Sequence, residues 1–405
     1  MGANYEGPLS GIKVIEISTM LAAPIATKAL ADWGADVIHV EDLEGRDAMR
    51  TFGSVLGVPV TEDENPVLDD VWGGKRNIGL DLKTPEGMEV LHKMLGQADV
   101  LVTNFRLEAL EKLHLSYDDL KTKYPGLIYG HLLAYGDKGP DKDLPGYDQC
   151  AFLARSGLLT ELVEPGEPPL NTCLGLGDRI TGMNLAGGIC AALVKKLRTG
   201  KGELVKVSLL HSAVYALTNV LLGVQYENLT YPRTRKEPSV ANINTYQTKD
   251  GRWLVLSETR TLQNFGKWCQ TLGLEHLANN EKYQTAAGII EDTVFLTQQF
   301  EKAILSKNLD EWMDIFAKAD LVCEKCQTFK ELIDDPQVEA NQYLVPINYP
   351  SRVLKVGTMP VQFEETGWQE YQTGARLGEN TDEIMAHLGY SSAQIEKLRK
   401  IKAIK

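Results

Sequence analysis

Short β-branched runs alternate with helix-forming stretches through the first half of the chain, and this alternation constrains the fold more than any other feature. Residues 12–17 (IKVIEI), 36–41 (DVIHVE), 100–102 (VLV), 127–132 (LIYGHL) and 203–209 (ELVKVSL) read as strands. Residues 24–33 and 107–113 read as helices between them. Another helix is announced by Thr84, a capping side chain, with Pro85 at the first helical position; Met88, Leu91, Met94 and Leu95 then share one face. Strands joined by helical crossovers pair in parallel and carry helices on their faces. The expectation is an α/β protein with a mainly parallel sheet.

The pattern breaks at residues 135–147 (YGDKGPDKDLPGY), a loop holding three glycines and two prolines. A long helix is expected over 179–198, with Gly182, Ala186, Gly187 and Ala191 as small inner positions. From residue 226 the texture changes. Residues 231–238 (YPRTRKEP) read as a linker, and Lys249-Asp250-Gly251 as a turn between hairpin strands 244–248 and 252–256. Helical patterns follow, one of them over 309–321. Strands are expected again at 344–349 and 361–364, then a helical pair within 381–401. The domain reading is a large domain of residues 1–225 and 330–405, with linkers and a small α+β domain over 226–329.

A chain of 405 residues can bury a large core without disulfides or a structural metal. Its formal charge of −13 disfavours general binding to nucleic acid or to a membrane surface. Six scattered cysteines read as mostly buried thiols of a reducing compartment. The N-terminal residues lack a signal-peptide pattern, and no apolar run is long enough for a membrane span, so a cytoplasmic protein is expected.

Residues 175–180 (GLGDRI) resemble a dinucleotide-binding turn but lack the third glycine, and no phosphate-binding P-loop is present. Cys323 and Cys326 have no further ligands at zinc spacing, so a structural role is expected and no metal site. Asp178 precedes the expected long helix, where its simplest role is an N-cap. A carboxylate among glycines at a helix start could also act as a nucleophile, with free N–H groups nearby to hold an oxyanion. Lys75, Arg76, Lys83, Arg106 and Lys112 gather cations in an otherwise acidic chain. Read alone they form a solvated face, although Arg106 follows a strand end, where α/β proteins bind ligands.

Several stretches together resemble the family III CoA-transferases. They are 9–14 (LSGIKV), 31–41 (ADWGADVIHVE), 75–87 (KRNIGLDLKTPEG), 98–106 (ADVLVTNFR), Leu176-Gly177-Asp178 with Thr181-Gly182-Met183, and 199–203 (TGKGE). Residues 136–148 (GDKGPDKDLPGYD) and 151–157 (AFLARSG) are similar to the branch acting on 2-hydroxyacids such as phenyllactate and 2-hydroxyisocaproate in fermenting anaerobes. Two departures from formyl-CoA transferase argue for a larger acid. Leu21 replaces a glutamine near the thioester, and Asn242-Ile243-Asn244 stands in the region of a glycine run.

The resemblance implies a Rossmann-like large domain, a smaller α+β domain and an interlocked homodimer. It makes Asp178 the nucleophile that forms an aspartyl-CoA thioester. It assigns Leu80, Lys83, Asn104, Phe105, Arg106, Lys112, Gly146 and Tyr147 to CoA, and Leu21 and Ala22 to the acid. Asp42 replaces an arginine that helps hold CoA in formyl-CoA transferase. No permanently bound cofactor is implied, since the CoA thioester is a substrate. A 2-methylacyl-CoA racemase of the same fold is one alternative, but Tyr147 stands where racemases carry a histidine base. A non-catalytic acyl-CoA-binding protein is the other, and an intact Asp178 argues against it.

Overall fold

The computed structural model describes residues 6–171, 175–226, 231, 233–367 and 370–405. Two compact units emerge: Met1–Leu158, Thr172–Leu221 and Gln337–Lys405 form the first, Leu159–Asn171 and Leu222–Pro336 the second.

The first unit is built on six strands: β1 (Lys13–Ile17), β2 (Asp36–Glu41), β3 (Arg76–Gly79), β4 (Val100–Thr103), β5 (Ile128–Leu133) and β6 (Leu204–Ser208). They lie in the order β3-β2-β1-β4-β5-β6, and every neighbouring pair is parallel. The chain winds outward from β1 to β3, then returns to the other side of β1 to place β4. The carboxyl ends of β1 and β4 therefore flank the point where strand order reverses, the usual ligand crevice of such sheets. β3 is too short, and has too few apolar residues, to stand out in the sequence. The chain end completes it. The Lys405 N–H donates to the Gly79 carbonyl, the Asp81 N–H to the Ala403 carbonyl, and Leu80 bridges to Ile404.

Thr84 caps helix Pro85–Leu95 by accepting the Gly87 N–H at 3.1 Å, as expected. The long helix spans Leu176–Thr199, three residues earlier than the sequence indicates. It packs on helix Ala22–Asp32 through Gly182, where a Cβ would stand 2.7 Å from the Ala22 carbonyl oxygen. Ala186 is buried, but Gly187 and Ala191 face outward, and Leu185, Ile189 and Leu193 fill the inner stripe instead.

An ionic knot lies beneath this layer. The fully buried Glu16 accepts from Ser18 Oγ at 2.6 Å, Thr27 Oγ1 at 2.6 Å and Lys75 Nζ at 2.9 Å, and His39 Nδ1 stands 3.3 Å away. Burial opposes both charges. The donors around Glu16 outweigh it and hold this carboxyl well below the usual range, so the pair is ionised. Glu41 is likewise engaged, by Arg50 in two bonds of 2.6 and 2.7 Å and by Asn77.

The second unit holds an antiparallel sheet of β7 (Ile243–Gln247), β8 (Trp253–Ser257) and β9 (Cys323–Lys325), with Gly251 in the expected hairpin turn. Its helices close over Phe265, Trp268, Phe300, Trp312 and Phe316. Cys323 pairs with Leu256 on the edge strand, a structural position. Of the five cysteines described only Cys269 is buried, which corrects the expectation of mostly buried thiols; Cys173 lies outside the described residues. In the C-terminal segment β10 (Leu344–Asn348) pairs with β11 (Val353–Gly357). Residues 361–364 form no strand, because the nearer run at 353–357 needs only a short turn to reach β10. Among the described residues no helix is long and apolar enough to cross a membrane.

Candidate active site

The turn after β1 and the turn after β4 are tied together. Asn104 accepts the Thr19 N–H at 3.0 Å and donates to the Thr19 carbonyl at 2.7 Å. The next residue, Met20, has φ +64, a left-handed conformation uncommon for a side chain of its size. Its N–H points at the Asp47 carboxylate, 3.3 Å from both oxygens. Asp47 also accepts the Met49 N–H at 3.0 Å, and burial pushes its carboxyl above the usual value. His131 holds the following segment through Nε2, 2.9 Å from the Phe105 carbonyl oxygen.

These turns open on a cleft of about 1000 Å³. Leu21, Ala22, Asn104, Phe105, Arg106, Gly146, Tyr147 and Asp178 all line it. Leu80, Lys83 and Lys112 do not. Leu80 is 1% exposed and packs in the core beside the chain end. Lys83 is exposed in the turn before Thr84, and Lys112 is exposed and paired with Glu108 at 2.6 Å. Lys142 and Lys206 contribute cations to the cleft that the sequence did not single out; Lys206 is paired with Asp137.

Asp178 is not the N-cap of its helix. Gly175, at φ +84, precedes the first helical residue, which puts Asp178 in the first turn. The capping side chain comes from 27 residues upstream: Asp148 Oδ2 accepts the Gly175 N–H at 3.0 Å. Gly177 is what permits this approach, since a Cβ there would lie 2.2 Å from both Asp148 Oδ1 and Phe152 Cγ. The helix N-terminus is thus already occupied by a carboxylate, and the expectation of free donors there does not hold for Gly175. Burial, helped by the negative charge of Asp148 and opposed by the positive charge of Arg179, pushes the Asp178 carboxyl up from 3.8 to about 7. Asp148 does not stand out in the sequence because nothing local links a loop residue to a helix start so far along the chain. Asp178 is thus a half-buried carboxylate on the cleft wall, poised near neutrality.

Comparison with known proteins gives the same direction. Residues 9–381 match the family described as CoA-transferase family III. The chain is 40% identical over 398 residues to the (R)-2-hydroxy-4-methylpentanoate CoA-transferase of Clostridioides difficile, covering 98% of this chain and 99% of the relative. It is 38% identical over 405 residues to the cinnamoyl-CoA:phenyllactate CoA-transferase of Clostridium sporogenes, covering 99% and 98%. Among solved structures, a CAIB/BAIF family protein from Brucella suis superposes with a TM-score of 0.79 at 28% identity, over 94% of this chain and 99% of the other. A six-stranded parallel sheet, a carboxylate in the crevice where strand order reverses and a match along nearly the whole chain lead to one conclusion: the protein belongs to family III of the CoA-transferases.

Proposed function

We propose that this CoA-transferase moves CoA from an acyl-CoA donor to a 2-hydroxy carboxylic acid through an aspartyl-CoA thioester on Asp178. The observation that carries the reading is Asp178 itself, a half-buried carboxylate facing a cleft that holds both apolar and cationic side chains. The ionised carboxylate attacks the donor thioester carbonyl and expels CoA thiolate, leaving a mixed anhydride. The thiolate attacks the aspartyl carbonyl and releases the donor acid. The incoming carboxylate then attacks the aspartyl thioester, expels the thiolate and forms a second anhydride. Thiolate attack on the new acyl carbonyl yields product and restores Asp178. Each step conserves the thioester's energy, and no electron leaves the cycle, so the chemistry requires no metal or redox group.

Arg106, Lys142 and Lys206 are the cleft cations suited to the phosphates of CoA. The proposal extends to an interlocked homodimer in the cytoplasm. Leu197 and Tyr215, 81% and 78% exposed, are large apolar side chains that a second copy would cover.

Isotope exchange tests the reaction with one acid serving as both donor and acceptor. The enzyme, given 2-hydroxy-4-methylpentanoyl-CoA and the isotopically labelled free acid, should move label into the thioester. Label that stays in the free acid for every 2-hydroxy acid tried would reject the proposal.

Acidity gives an independent check. Only ionised Asp178 is a nucleophile, so kcat/KM for the acyl-CoA should rise with pH through about 7 and then level. Asp148→Asn keeps an oxygen for the Gly175 N–H but removes the neighbouring charge, so the rise should move to lower pH. A profile that is flat through neutrality, or one that Asp148→Asn leaves in place, would contradict this account.

A further inference from the structure

We infer that Met20 and Phe52 read the side chain of the acid that receives CoA, with Asp47 as the positioning residue for the turn that carries Met20. The inference rests on the transferase reading above and adds the selection of substrate. Its first support is the backbone. A left-handed residue with a side chain is strained relative to glycine and persists only where its surroundings over-determine it. Here they do: Asn104 fixes Thr19 from both sides, and the Asp47 carboxylate, 7% exposed, takes the Met20 N–H. A methionine kept where glycine would sit with less strain implies use of its side chain.

The second support is what that side chain joins. Met20, Leu21, Ala48 and Phe52 form a cleft wall with no ionisable group. Met20, Leu21 and Phe52 also rest against a buried cluster of Ile25, Met49, Leu68, Val71 and Trp72, so the wall is backed by packed core. This wall reaches the nucleophile's helix, since Leu21 Cδ2 stands 2.6 Å from where a Gly175 Cβ would be. The cleft's cations suit phosphate, whereas this wall can only select hydrocarbon. The substrate class it fits is a 2-hydroxy acid with a branched-alkyl or aryl side chain, and the unbranched, adaptable thioether of Met20 allows both shapes.

The test compares exchange of 2-hydroxy-4-methylpentanoate, phenyllactate and lactate, each with its own CoA ester. Wild type should prefer the two bulky acids. In Met20→Gly and in Phe52→Ala the kcat/KM ratio of bulky acid to lactate should fall about tenfold or more, the range over which a few methylenes in a pocket discriminate. Met20→Gly suits the left-handed backbone, so a melting temperature close to wild type separates lost selection from lost folding. Asp47→Ala should lower the same ratio through KM, and Asp47→Asn, which keeps an acceptor, should restore most of it. An unchanged ratio in both Met20→Gly and Phe52→Ala overturns this inference and leaves the transferase standing. Absence of exchange by wild type with all three acids overturns both.

Discussion

Asp178→Asn is expected to abolish CoA transfer while making the fold more stable above neutral pH. The loss should be about 10⁴-fold or more, the scale on which removing a covalent nucleophile acts. The stability change has the opposite sign for a physical reason. Asp178 holds its proton up to about 7 in the folded protein and releases it near 3.8 when unfolded. Between those values the folded state binds more protons, so stability falls as pH rises through the window. Asparagine cannot ionise, and the variant escapes the fall. Acyl-CoA added alone, followed by hydroxylamine, should modify wild type at Asp178 and leave the variant untouched. Near-normal transfer by Asp178→Asn would sink the assignment, and so would hydroxylamine modification at another carboxylate.

Glu16→Ala should cost far more in stability than an average substitution. It strands the Lys75 ammonium, 1% exposed, with the Pro24 carbonyl oxygen at 2.8 Å as its remaining hydrogen-bond partner. Breaking a buried pair from one side typically costs about 3–5 kcal/mol. Replacing both partners, as in Glu16→Gln with Lys75→Met, should recover much of that loss because no unpaired charge remains. The pH dependence follows from the low-lying Glu16 carboxyl: its stabilisation is complete above the unfolded value of 4.5 and is lost as pH falls below it. Urea unfolding of the three proteins provides the measurement. A Glu16→Ala variant within about 1 kcal/mol of wild type would mean the knot contributes little.

Much of the large sheet was legible because β1, β2, β4, β5 and β6 are β-branched runs separated by helix signals. β3 was hidden because its four residues gain stability from distant chain, not from their own composition. The start of the long helix was misplaced for a related reason. Gly175 and Gly177 look like loop, but one supplies a left-handed turn and the other makes room for Asp148. Asp178 was singled out by resemblance and does line the cleft, whereas Asp148, Met20 and Phe52 drew attention only once the fold brought segments far apart in sequence onto it. Lys83 and Lys112 show the converse, since cations near a strand end in sequence can still point to solvent.

The seal of residues 403–405 against β3 also orders events during synthesis. All six strands of the sheet lie within residues 13–208, but the β3 edge stays uncovered until residues 403–405 emerge from the ribosome, well after residues 222–336. The second unit is therefore available to fold while the first still waits with an open strand edge. During that interval the β3 edge presents unpaired N–H and C=O groups, the feature through which a nascent chain pairs wrongly.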